Sequence, residues 1–154
     1  MHDSRVVANR FLDLANAKGD SLTPMQLLKL VYIAHGWMLG LYGRPLIRDD
    51  VEAWQYGPVI PRLYNSVRGF KSQPVVGPLP AREETLDDKE KSIIDQVYEI
   101  YGDLSGPQLS RLTHAEGSPW QITYKPGQFR LEISNDVIED HYRQKAIETG
   151  STPD

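Results

Sequence analysis

The chain has 154 residues, 40% of them apolar and 25% charged, with a formal net charge of −4. That is the composition of one globular domain rather than of a disordered segment. The acidic balance argues against nucleic acid as a direct partner and against an anionic membrane surface, and the absence of cysteine excludes disulfides and thiolate metal sites.

Met1 to Asn9 lacks the apolar core of a secretory leader, so the expected location is the cytoplasm. A first helix is predicted from about Ser4 to Lys18. Asp3 or Ser4 can cap it, Val7, Phe11, Leu14 and Ala15 share one face, and Gly19 is a natural stop.

The second helix carries the strongest signal. Thr23-Pro24-Met25-Gln26 spells a capping box with proline at the first helical position. From Leu27 to Leu41 apolar residues occupy nearly every face, which places the helix at the centre of the domain. Lys29 and His35 interrupt the stretch, and it falls short of the roughly 20 apolar residues of a membrane span.

After Gly43, Leu46-Ile47 and Val51 to Trp54 flank Asp49-Asp50, which predicts a short β-hairpin over about 45–55. Gly57-Pro58-Val59-Ile60-Pro61 breaks the chain and opens a third helix, to about Arg68, with Ile60, Leu63, Tyr64 and Val67 on its apolar face. Arg62, Asn65, Ser66 and Arg68 fall on the other side, with Lys71 just beyond, as a local positive patch in an acidic chain. Lys71 to Arg82, with three prolines and a glycine, reads as a loop.

A fourth helix is expected from about Asp87 to Tyr101. A short fifth starts at Ser105-Gly106-Pro107-Gln108 and ends by Gly117. Ser118-Pro119-Trp120 reads as a turn and Thr123 to Gln128 as a loop. The last helix runs from Ser134 to about Glu148, with Ile133 and Ile138 as a hydrophobic staple. The expected fold class is α+β, predominantly α: about six helices around a central buried helix (about 24–42), plus the hairpin. It forms a single domain over 1–150 with a frayed tail at 151–154.

No constellation for catalysis stands out. Gly36, Gly40 and Gly43 lie in or just after a helix, where phosphate loops do not form; close helix packing is the simpler role. The four histidines, His2, His35, His114 and His141, have no metal-ligand spacing. His35 reads as a hydrogen-bonded core histidine, the alternative being a general base in a pocket. The pairs Asp49-Asp50 and Asp87-Asp88 suit turns and helix starts. Trp54, Tyr56, Tyr64, Trp120 and Tyr124 cluster near loops and helix starts, and are either core fillers or interface anchors.

Three strings carry a resemblance. Leu27-Leu28-Lys29-Leu30-Val31-Tyr32-Ile33-Ala34-His35-Gly36, then Glu52-Ala53-Trp54-Gln55-Tyr56-Gly57-Pro58-Val59 with Leu63-Tyr64, then Leu112-Thr113-His114 and Ser118-Pro119-Trp120, resemble the Panacea domain. That domain is also described as SocA-like or GepA-like and phage-associated. The resemblance implies an antitoxin that neutralises a neighbouring toxin by direct protein contact, with no catalysis and no cofactor. It also implies, as an alternative, an adaptor delivering a toxin to a ClpXP-type protease. A reading from another class is a small enzyme or nucleotide-binding protein using His35 and His114. The expected partner-binding residues are Trp54, Tyr56, Gly57, Pro58, Arg62, Tyr64 and Arg68. His35, Thr113, His114, Pro119 and Trp120 are motif residues whose role stays open.

Overall fold

A computed structural model describes residues 1–150, so the expectation of a frayed 151–154 tail lies outside the described residues. The architecture is α+β and predominantly α. Among the described residues there are seven α-helices and one small antiparallel sheet.

Helix α1 is Ser4–Ala17, capped by the Asp3 carboxylate, which accepts from Arg5 N–H at 2.8 Å. Helix α2 is Pro24–Tyr42. Its capping box forms as the sequence demands: Gln26 N–H donates to Thr23 Oγ1 and Thr23 N–H to Gln26 Oε1. Gly43 ends it at φ 68°.

Every residue from Leu27 to Gly40 is buried, because α1, α3 (Pro61–Val67), α4 (Asp88–Tyr101), α5 (Gly106–Thr113) and α7 (Asn135–Thr149) all pack on α2. Burying each large apolar side chain, among them Leu27, Ile33 and Met38, contributes roughly 1.5–3 kcal/mol. Gly36 and Gly40 let α7 approach: a Cβ at Gly36 would lie within the Tyr142 ring, and one at Gly40 would meet Tyr142 backbone at 2.7 Å.

The sheet has the order β2-β1-β3, with β1 at Glu52–Trp54, β2 at Gly57–Val59 and β3 at Leu131–Glu132. The hairpin therefore lies at 52–59, with Gln55-Tyr56 as its turn, rather than at 45–55 with Asp49-Asp50 as the turn. The reason is that Asp49 has other work. Its carboxylate accepts from Ser4 N–H at 3.1 Å and Ser4 Oγ–H at 2.5 Å, pinning the start of α1. Leu46-Ile47 lies beside His2 instead, through His2 N–H to Leu46 O and Arg48 N–H to His2 O.

Ser118-Pro119-Trp120 likewise does more than turn. Ser118 Oγ accepts from Gln121 N–H and caps a short helix α6, Pro119–Thr123. The proline-rich segment after α3 is not regular, yet it packs down: Val75, Leu79 and Leu86 are buried, and Asn9 on α1 exchanges two hydrogen bonds with the Leu79 backbone.

Candidate partner-binding site

A knot of polar and aromatic contacts surrounds the hairpin. Gly57 sits at φ +125°, a conformation L side chains rarely adopt, and a Cβ there would come 3.0 Å from Lys29 Nζ. The glycine lets the hairpin close over α2, so that Pro58 presents its carbonyl to Lys29 Nζ at 2.8 Å. Lys29 is only 5% exposed, and burial lowers its amine to about 8.

Trp54, at the end of β1, meets the Tyr64 ring edge-on with centroids 5.1 Å apart, and its indole N–H donates to Glu52 Oε1 at 2.9 Å. It is half-buried, because one side borders a groove. Tyr56, at the turn, is 76% exposed.

Behind the hairpin stand the later motif residues. Trp120 donates its indole N–H to the Trp54 carbonyl at 2.5 Å, stacks on Tyr124 and meets His114 edge-on. The Ser110 hydroxyl, one turn before His114, donates to the Tyr56 carbonyl. Thr113 is buried and returns its hydroxyl to the Leu109 carbonyl, while buried Pro119 opens α6 and so sets the position of Trp120. These residues buttress the hairpin, and Ser110 also lines the groove.

His35 takes no part in this knot. Fully buried, its Nδ1 faces the N–H groups of Leu46 and Ile47 at 3.2 and 3.3 Å, which fixes the neutral tautomer with Nε2–H donating to Asn135 Oδ1 at 3.0 Å. Desolvation lowers its pKa to about 4, opposed by the Asn135 bond. It is a core histidine joining α2, the 46–47 segment and α7.

A groove of about 350 Å³ runs between the start of α2, the hairpin and the end of α3. Met25, Leu28, Trp54, Val59 and Tyr64 supply apolar surface. Lys29 lies at the floor, with Arg68 and Lys71 from a 3-10 turn (Arg68–Phe70) and its exit at the rim. Trp54, Tyr56, Tyr64 and Arg68 thus come together on one surface, with Gly57 and Pro58 shaping its floor. Arg62 does not join them. It lies 3.4 Å from Asp49 and 3.9 Å from Asp3, in an acidic corner. Of the expected patch of Arg62, Arg68 and Lys71, the groove keeps Arg68 and Lys71 and adds Lys29. Lys29 carries its own signal in the sequence: it is the only charge between Gln26 and Gly43.

A larger cleft of about 730 Å³ lies between α1 and the 78–86 segment, where Arg10 is already paired with Asp95. Among the described residues no group of three His, Asp or Glu side chains is placed to hold a metal ion, and no helix is long and apolar enough to cross a membrane.

The motif strings that build this knot match known proteins. The family model for the antitoxin SocA-like Panacea domain matches residues 27–121. A curated relative, antitoxin SocA of Caulobacter vibrioides, is 32% identical over 169 residues, covering 98% of this chain and 88% of its own length. No solved structure matches. With both the hairpin and its buttress inside the matched span, the chain belongs to the SocA-like antitoxin family and carries its Panacea domain.

Proposed function

We propose that the chain neutralises a toxin encoded beside it by direct protein contact in the cytoplasm, and that the contact is the groove bounded by the hairpin, α2 and the end of α3. One observation supports this above others. The groove combines an exposed tyrosine, aromatic walls, Met25 and Arg68, the residue types that concentrate binding energy at interfaces, with the charge of Lys29 and Lys71 added. Trp54, Tyr56, Tyr64 and Arg68 act as contacts, while Gly57 and Pro58 hold the hairpin in place.

The enzymatic alternative loses its base. Both nitrogens of His35 are engaged inside the core, and the ring is out of reach of a substrate. His114 packs against Trp120 with Ser110 at 3.5 Å, serving the hairpin. The domain then works as a binding module and needs no cofactor.

The test expresses the product of the adjacent gene alone and with this chain, and scores growth and copurification. Rescue with a copurified complex supports the proposal; rescue without complex, or no rescue, contradicts it. Following the toxin's lifetime in the same cells separates sequestration from delivery to a ClpXP-type protease.

A further inference from the structure

The groove gathers three cations with no acid beside them. Several arginines elsewhere find acids, among them Arg5 with Asp3, Arg10 with Asp95, Arg44 with Asp87 and Arg48 with Glu84, while the exposed lysines, Arg82 and Arg111 form no ion pair among the described residues. In the groove, no aspartate or glutamate is among the lining residues, and among the described residues none pairs with Lys29, Arg68 or Lys71. Lys29 is the most telling. An ammonium has three donors, and this one is buried with a single acceptor, the Pro58 carbonyl. A buried cation without a counter-charge is costly to the fold, and a carboxylate arriving in the groove would pair with it. Around it, Met25, Leu28 and Val59 offer apolar contact. The space suits the side chains of one segment rather than a folded domain.

We infer that the groove takes an acidic segment of the partner protein, in which apolar side chains flank Asp or Glu and a carboxylate accepts from Lys29 Nζ between Arg68 and Lys71. Three cations from two separate parts of the chain match several side-chain carboxylates better than the single charge of a chain terminus. The inference rests on the groove being the docking site and adds the chemistry of what docks. Charge-assisted bonds formed away from water are the strong ones, so Lys29 sets affinity while Arg68 and Lys71, at the rim, speed association.

The test probes the full chain with an array of ten-residue, end-capped peptides. Leu and Phe are fixed at flanking positions, and Glu, Gln or Lys is placed at the centre. The expected result is saturable binding to Glu peptides at least tenfold tighter than to their Gln counterparts, with Lys peptides not binding. Lys29→Met should erase the Glu preference. Arg68→Gln with Lys71→Gln, both at exposed positions, should weaken Glu binding and serves if Lys29→Met fails to fold. Equal binding of Glu and Gln peptides, with Tyr56→Ala weakening both, overturns the acidic segment and leaves the docking site standing. No peptide binding, with the toxin still bound by Tyr56→Ala, overturns both.

Discussion

Lys29 Nζ lies 2.8 Å from the Pro58 carbonyl oxygen, so a charge on the central helix is tied to the strand that follows the hairpin turn. The bond holds β2 against α2 and places a buried ammonium at the floor of a groove with apolar and aromatic walls and Arg68 and Lys71 at its rim.

Replacing that ammonium separates stability from binding. Burial holds the Lys29 pKa near 8 in the fold against 10.5 unfolded. The unfolded chain therefore binds the proton more strongly, and stability rises with pH between 8 and 10.5, by about 3 kcal/mol. Lys29→Met removes that penalty and leaves the Pro58 carbonyl without its donor, a loss of about 1 kcal/mol. Urea unfolding at pH 7 should show the variant as stable as the parent or up to about 2 kcal/mol more so, with the alkaline slope gone. A large loss of stability at pH 7 would show Lys29 to be structural.

Gly57→Ala should be costly for two reasons: the backbone at φ +125° and the 3.0 Å approach of its Cβ to Lys29 Nζ. A loss of about 1–3 kcal/mol is expected in thermal or urea unfolding. Full stability in Gly57→Ala would mean that the hairpin is not closed over Lys29.

His35 should give the fold an acid limit. Its pKa is about 4 folded against 6.5 unfolded, chiefly from burial. Between those values the unfolded chain holds more protons. The stabilisation is complete above pH 6.5 and is lost as pH falls toward 4, about 3 kcal/mol in all. Unfolding free energies at pH 7, 6 and 5 should fall in the parent. In His35→Gln they should start lower and fall less. His141, shifted downward by its own burial, is present in both chains and cancels in the comparison.

The two helix glycines should behave differently on repair. Gly36→Ala and Gly40→Ala each overpack the contact with α7, at about 1–3 kcal/mol. The three atoms nearest a Cβ at Gly36 all belong to the Tyr142 ring, while those nearest one at Gly40 include Tyr142 and Arg143 backbone. Tyr142→Leu should partly rescue Gly36→Ala and not Gly40→Ala, read as coupling in a double-mutant cycle.

Much of this fold is legible in local sequence because its helices announce themselves. Thr23-Pro24-Met25-Gln26, Asp87 with Glu90 and Ser105 with Gln108 all form the boxes they spell. The sheet is hidden because two- and three-residue strands carry no period, and because Asp49-Asp50 is a turn signal that the Ser4 contact puts to other use. Val75, Leu79 and Leu86 are core residues without any regular spacing, held by tertiary contact alone. Of the site, the Trp54 to Val59 string marks the place. Which cations share its surface depends on how α3 is turned, and that sends Arg62 to Asp49 and Arg68 to the groove.

The dissociation constant of the copurified toxin tests the docking surface most directly. It is measured for the parent, for Tyr56→Ala with Arg68→Glu and Lys71→Glu, and for Arg82→Glu on the separate cleft beside α1. All four substituted residues are exposed apart from any core packing, so circular dichroism should be unchanged. The triple variant should bind about 30-fold or more weakly, the loss of a single strong interface anchor or greater, while Arg82→Glu binds as the parent does. Parent-like affinity in the triple variant would contradict the groove as the site of toxin contact.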